Sequence, residues 1–383
     1  MRVFSELRTT LFLSRRPVVA FMMLGMCWGG FAALVPQIKA YINVGDGLFG
    51  TLLLLSALGL VSAIWLAPMV DKRLGAIGLP VVVLCMALSF LLVGWAPLPW
   101  IFGCAMFLAG AASGLTDVIM NARVSEIEAH EDRPLMSLNH AMFSFAYAGS
   151  ALATGVLREM GASAFMVFVI YALIASTLVW FCRSDPFVVP EPSGDTPDGA
   201  LPLGLIALGG AVLMIAFMTE ASMESWSALH IERSLGGRAV EGAIGPFMLG
   251  FTMGIGRLMG QVAASQINAN RVIFWAALMT CSGAIIAAVA PIPLVAYTGF
   301  AILGLGVSVI VPLALGMVGR RATMHTRTAV IARVSGLGFI GFFISPALMG
   351  WLSAITSLRW SFAIVGLMVL LIPLVLLPRL RRA

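Results

Sequence analysis

The chain has 383 residues, of which 60% are apolar and only 10% charged, with 40 glycines and a mean hydropathy of +1.02. A water-soluble chain of this size carries about 25% charged residues, so the composition excludes an ordinary soluble protein and points to a helical chain in a bilayer. The formal net charge of +6 does not describe a nucleic-acid surface, because the positive residues sit in short gaps between apolar runs and form no basic stripe.

Residues 1–16 hold Arg2, Arg8, Arg15 and Arg16 and lead from Pro17 directly into an apolar run. No small-residue cleavage site intervenes, which predicts a retained first helix instead of a signal peptide. A membrane-crossing helix needs roughly 20 apolar residues. Runs of that kind are expected at 17–38, 46–68, 77–95, 98–120, 134–157, 161–182, 202–230, 241–264, 270–290, 293–317, 328–352 and 356–378. Pro97 with Pro99, and Pro291 with Pro293, mark tight turns between adjacent runs. Between the sixth and seventh runs lies the longest polar stretch, holding Pro186, Pro190, Pro192, Pro197, Ser193 and Gly194 with Asp185, Glu191, Asp195 and Asp198. It reads as a linker. The expected architecture is an all-α integral membrane protein of twelve transmembrane helices. Residues 1–182 form one six-helix half, 183–201 a cytoplasmic linker and 202–383 a second half, an arrangement that lets two bundles rock about a central site.

Lys and Arg set the orientation. With the N-terminus inside, sixteen fall in inside segments (Arg2, Arg8, Arg15, Arg16, Lys72, Arg73, Arg123, Arg133, Arg183, Arg271, Arg320, Arg321, Arg327, Arg379, Arg381, Arg382). Only five fall outside (Lys39, Arg158, Arg233, Arg238, Arg359), so both termini are expected in the cytoplasm. Cys27, Cys85, Cys104, Cys182 and Cys281 show no metal-ligand or redox spacing and read as small apolar residues.

Ionisable groups inside spans are costly and usually face a cavity or a partner. Glu220 and Glu224 are four apart, hence on one face of the seventh helix, with Trp226 shortly after. A helix entering near Leu201 has risen about 28 Å by Glu220, which puts the pair in the outer half. Substrate or proton handling, a network gating the outer face, and simple closeness to the headgroups are all open readings. Asp117 and Asn121 form a second i,i+4 pair near the inner end of the fourth helix, with Arg123 and Glu126 close behind. That pair reads as an inner gate, with cavity chemistry or surface charge as alternatives. Asn139 and His140, early in the fifth run, could relay a proton or bond a polar solute, or simply pack. Trp28 and Trp226 occupy corresponding runs of the two halves. Either indole could stack on a sugar and offer its N–H to a hydroxyl, or serve as an interfacial anchor. Tyr147 and Gln261 are further pathway candidates. Glycines in the fifth and eleventh runs (Gly149, Gly155; Gly336, Gly338, Gly341, Gly350, with Pro346) allow bending as well as close packing. Gly250 with Gly254 and Gly256 with Gly260 are small-xxx-small pairs.

Twelve runs about a central linker resemble the major facilitator superfamily. The loop Ala67-Pro68-Met69-Val70-Asp71-Lys72-Arg73-Leu74-Gly75 is similar to its acidic-basic-glycine loop motif, though the leading glycine is missing and the spacing to Gly75 is one residue longer. Its second-half counterpart, Gly256-Arg257-Leu258-Met259-Gly260, keeps Arg and Gly without the acid. Three stretches, 117–126, 133–145 and 220–229, resemble the fucose-permease-like and rhizopine-transporter-like branch. The resemblance implies alternating access, a bacterial inner-membrane location and a monomer. It implies a cargo such as a sugar, inositol or amino-cyclitol, and a cytoplasmic gate built from Asp71, Arg73, Asp117, Asn121, Arg123, Arg133, Arg257 and Arg333.

Enzymatic signatures are lacking: there is no HExxH, GxxxxGK[ST] or GxSxG element, and Gly304-Leu305-Gly306 lies in an apolar run with no strand beside it. No cofactor is expected. Without an ATP site the driving force is a solute or ion gradient, and the buried acids favour protons. The function expected is a proton-coupled secondary transporter of a small polar solute. The alternative is an exporter of lipophilic or amphipathic compounds, which would have an apolar, aromatic cavity.

Overall fold

The computed structural model describes residues 2–184, 201–263, 268–323 and 325–382, without the side chains of 2–7 and 261–263. The expected linker falls almost wholly outside the described residues. Helices run over α1 (Arg2–Leu13), α2 (Pro17–Tyr41), α3 (Asp46–Leu74), α4 (Gly78–Trp95), α5 (Pro99–Glu131), α6 (Met136–Glu159) and α7 (Ala164–Leu178). They continue with α8 (Leu203–Leu229), α9 (Ala239–Ala263), α10 (Ala269–Val289), α11 (Pro293–Arg321), α12 (Arg327–Ile355), α13 (Leu358–Met368) and α14 (Leu377–Leu380).

Local chemistry explains the boundaries. Pro17, Pro99 and Pro293 open α2, α5 and α11, where a missing N–H costs nothing. Ser163 and Ser357 accept backbone N–H bonds from Met166 and Trp360. Glu128 Oε1 accepts from the N–H groups of Leu135 (2.5 Å) and Met136 (2.8 Å), placing a carboxylate at the positive end of α6. Gly75, at φ +54°, ends α3 in a conformation that a side chain would resist.

Among the described residues, ten helical stretches are long and apolar enough to cross a membrane. The stretch Asp46–Trp95 joins α3 and α4 through the tight turn Gly75–Ile77. α6 is not among the ten, because Asn139, His140, Ser144, Tyr147 and Ser150 dilute its apolarity. The count by length and composition is thus ten instead of the expected twelve. Residues 2–13, which belong to the basic segment ahead of the first expected run, form α1.

The chain is an all-α, multi-span membrane protein built as two interacting helix bundles. In the first, α3 packs on α5, α2 on α6, and α4 on α5 and α7. In the second, α8 packs on α12, α10 on α11 and α13, and α9 on α11. The bundles meet where α6 crosses α9, α3 crosses α12 and α2 crosses α8. Lipid gives helices little reason to associate through apolar area alone, so close backbone approach and polar contacts decide these crossings. Gly50 of α3 is one such point, since a Cβ there would lie 2.6 Å from the carbonyl oxygen of Pro346 in α12. On α9, Gly250 faces Tyr147 and Gly254 faces the ring of Phe145, so the first small-xxx-small pair is a packing seam against α6.

Candidate functional site

Between the bundles lies a cavity of about 200 Å³. Helical periodicity aims its walls inward. Phe217, Glu220, Ala221 and Glu224 make one stripe on α8; Leu53, Ser56, Ala57 and Leu60 make one on α3; Phe339, Phe342, Phe343 and Pro346 make one on α12. Trp28 and Phe31 of α2, Ser113 and Asp117 of α5, His140, Phe143 and Tyr147 of α6, and Arg257 of α9 complete the lining. At one end the stripes close on each other, with Gly50 against Pro346 and Gly350. Toward the other end the same faces of α3 and α12 carry exposed Ile64, Ala332 and Gly336. The cavity is therefore closed at the end holding Asp46 and open toward the end holding the N-terminus.

Charge is concentrated on one wall. Arg257 Nη2 donates to Glu220 Oε1 at 2.8 Å, while its Nη1 donates to Ser144 Oγ and, at 3.3 Å, to the His140 carbonyl. One guanidinium thus neutralises Glu220 and ties α9 and α8 of the second bundle to α6 of the first. Glu224, one turn along, has no side-chain hydrogen bond or ion pair among the described residues. Across the cavity, Asp117 accepts from Asn121 Nδ2 at 3.0 Å, a neutral partner. Three carboxylates against one guanidinium leave Glu224 and Asp117 needing hydroxyl donors, an ammonium group or a proton.

The remaining pathway candidates divide. Trp28 lines the cavity, but its indole N–H is already given to Ser113 Oγ at 3.1 Å, so it offers only a ring face, braced edge-on by Phe31 and Phe90. Tyr147 lines the cavity and its hydroxyl donates to the Glu224 backbone carbonyl at 3.3 Å. His140 lines it too, its ring packed edge-on against Phe21. Trp226 does not reach the cavity. It is 0% exposed and packs edge-on against Phe49 of α3, in the closed end between the bundles. Its position one face away from Glu220 and Glu224 on α8 explains the difference. Asn139 is likewise buried away from the cavity, its amide donating to the Leu135 carbonyl at 2.9 Å. The Gln261 side chain lies outside the described residues.

The expected gate residues also part company. Arg123, 1% exposed, donates to Asp71 Oδ1 at 2.5 Å and to Glu126 Oε1 at 3.1 Å, joining α5 to the end of α3. Asp117 is not in that network but on the cavity wall, hydrogen-bonded to Asn121 one turn nearer the network. Arg257 pairs with Glu220 in the cavity instead of lying at the gate. Arg73, Arg133 and Arg333 are exposed and form no ion pair among the described residues.

The closed end carries polar residues that sequence reasoning used only for orientation. Arg233, in the turn His230–Ser234 after α8, donates with both Nη atoms to Asp46 Oδ1 and Oδ2, each at 2.7 Å. Lys39 and Ser353 reach the same carboxylate. Its neighbour Glu232 receives Arg158 of α6 through two bonds of 2.6 and 3.0 Å. An acid and a base adjacent in one turn are thus clasped by opposite charges from the first bundle. The partners lie 187 and 74 residues apart, so no local spacing announces them. Among the described residues no three of His, Cys, Asp and Glu gather where they could hold a metal ion.

Two helix bundles enclose a central cavity that is closed at one end and open at the other, an arrangement suited to alternating access. Residues 247–383 match the family described as Major Facilitator Superfamily. An uncharacterized MFS-type transporter of Yersinia pestis is 28% identical, with 92% of each chain covered. An uncharacterized transporter of Sinorhizobium fredii is 25% identical, over 96% of this chain and 98% of that one. The fold is similar to that of a bacterial homologue of the human lysosomal transporter Spinster, in an inward-facing and occupied conformation. That likeness has a TM-score of 0.75 at 13% identity, over 97% of this chain and 96% of that one. The chain is thus similar over most of its length to bacterial transporters of the MFS type, and its second half matches the Major Facilitator Superfamily.

Proposed function

We propose that the chain moves a small polar, hydroxylated or amine-bearing solute, of the sugar, inositol or amino-cyclitol kind, coupled to protons. The observation that carries this reading is the partnering in the cavity. Glu220 is held by Arg257, whereas Glu224 and Asp117 present carboxylates from both bundles with no ion pair among the described residues. Hydroxyl or ammonium groups would satisfy them, and the ring face of Trp28 suits the apolar face of a sugar ring. The volume of about 200 Å³ lies below the roughly 300–1,000 Å³ of drug-sized pockets, which favours a small cargo. Proton coupling rests on Glu220: protonation would release Arg257 and with it the link to Ser144 and the His140 carbonyl of the other bundle.

The same reading holds twelve spans in two six-helix halves, 1–182 and 202–383, joined by a cytoplasmic linker at 183–201. It also holds a monomer in a bacterial inner membrane with both termini cytoplasmic. The positive-residue count supports that orientation, which makes the Asp46 end external. The fucose-permease-like stretches support the cargo class. A second reading, export of lipophilic or amphipathic compounds, is favoured by the aromatic lining of Trp28, Phe31, Phe143, Tyr147, Phe217, Phe339, Phe342 and Phe343.

The test is a thermal-shift screen of purified protein against sugars, cyclitols, amino acids and amphipathic cations at two pH values, followed by uptake into proteoliposomes. Selective stabilisation by one polar class, lost in Glu224→Gln, is the expected result. Stabilisation by diverse lipophilic cations alone would replace this reading with the exporter.

A further inference from the structure

A second cavity, about 450 Å³, lies between the α1–α2 turn and the end of α7, lined by Arg15, Arg16, Val19, Trp180, Phe181 and Arg183. Three guanidiniums share this lining with no carboxylate, and all three residues are exposed and free of ion pairs among the described residues. Net charge alone would scatter such residues. Here they come from both ends of the first bundle, residues 15–16 and 183, and converge on one concavity.

The apolar part of the site is equally marked. Trp180 and Phe181 are 69% and 64% exposed, and Phe12 of α1 is 64% exposed. The Arg15 guanidinium lies 4.3 Å from the centroid of the Phe12 ring, a cation–π contact that orients the charge. The depth in the membrane follows from the helices themselves. The apolar run of α2 begins at Pro17, and the candidate span ending in this region stops at Cys182. The arginines therefore sit where hydrocarbon gives way to headgroups, with the rings on the hydrocarbon side.

We propose that this cavity binds the headgroup of an anionic phospholipid, its phosphate held by Arg15, Arg16 and Arg183 and its acyl chains lying along Trp180 and Phe181. Guanidiniums match phosphate oxygens in paired hydrogen bonds, and basic pockets between helices at a membrane face suit such headgroups. A soluble anion would use the arginines but not the rings. Such a lipid would pin α1 and the end of α7 to α2. This assignment is independent of the central cavity and of its cargo.

The test measures thermal stability of the detergent-purified full chain against added phosphatidylglycerol, phosphatidylcholine or inorganic phosphate, with native mass spectrometry counting retained lipid. Phosphatidylglycerol should stabilise and co-purify, and phosphatidylcholine should not. Arg183→Gln should raise the half-maximal phosphatidylglycerol concentration about five-fold, and Arg15→Gln with Arg183→Gln about twenty-five-fold. Trp180→Ala, which leaves the orienting charges in place, should also weaken the lipid effect and keeps the question open to measurement if the double variant fails to fold. Equal stabilisation by phosphatidylcholine, or an unchanged response in all three variants, would overturn the site. Inorganic phosphate reproducing the whole effect would overturn the lipid as its source.

Discussion

The clasp between Arg158 and Glu232 offers a direct measure of what holds one end of the cavity shut. Arg158 belongs to α6 of the first bundle and Glu232 to the turn after α8 of the second, and their side chains are 7% and 17% exposed. Nη1 also donates to the Ala33 carbonyl at 2.7 Å, so the guanidinium is positioned before Glu232 arrives. Breaking a buried ion pair costs about 3–5 kcal/mol when the surviving charge stays buried. Here Glu232 can turn toward solvent once the bundles part, so Arg158→Gln should favour opening by about 2 kcal/mol, or roughly 30-fold in the open-to-closed ratio. Leu53, 2% exposed and on the cavity wall near the closed end, is a suitable reporter. In a background with the native cysteines replaced, a membrane-impermeant maleimide added from the Asp46 face should label Leu53→Cys about 10- to 30-fold faster when Arg158→Gln is present. Swapping the charges, Arg158→Glu with Glu232→Arg, should return the rate most of the way. Unchanged labelling in Arg158→Gln, or no recovery in the swap, would refute the clasp as a gate.

Glu220→Gln should leave folded protein in the membrane but abolish proton-driven accumulation in proteoliposomes; full accumulation under an imposed proton gradient would remove Glu220 from coupling. Trp28→Ala should weaken cargo binding in the thermal-shift titration more than it lowers the melting temperature without cargo, and unchanged affinity would exclude the ring from the site. Gly50→Val should disfavour closure by about 1–3 kcal/mol, because the new side chain meets the Pro346 carbonyl, and the Leu53→Cys labelling rate should rise; a rate equal to the parent's would contradict that contact. Arg123→Gln takes the guanidinium from Asp71 and should destabilise the chain by about 2 kcal/mol, read as a lower melting temperature with cargo affinity kept.

Local pattern made much of this protein legible. The apolar runs mark the helices, because a segment crossing lipid must satisfy its own backbone and does so as a helix of set length. The i,i+4 spacing of Glu220 and Glu224 put both on one face, and both line the cavity. The resemblance grouped Asp71 and Arg123 in one gate, but which acid Arg123 meets was not readable, and the structure pairs it with Asp71. α6 shows the limit of hydropathy, since the residues that make it useful for lining and crossing also lower its apolarity.

What composition and periodicity decided, then, is that the chain is a multi-span helical membrane protein, where most of its helices lie, and which charges are out of place in them. The tertiary structure alone decided which way those charges look. α8 is apolar almost all round, so nothing in its sequence separates the face bearing Glu220 and Glu224 from the one bearing Trp226, and only the packing against α3 buries the indole away from the cavity. Arg257 finding Glu220, Asp117 lining the cavity instead of meeting Arg123, and Glu232 and Arg233 being clasped by Arg158 and Asp46 are likewise products of the crossing of helices far apart in the chain. In lipid the apolar effect that orients a soluble helix is missing. Helix rotation is set instead by small residues and polar contacts between neighbours, and these exist only once the bundles have met.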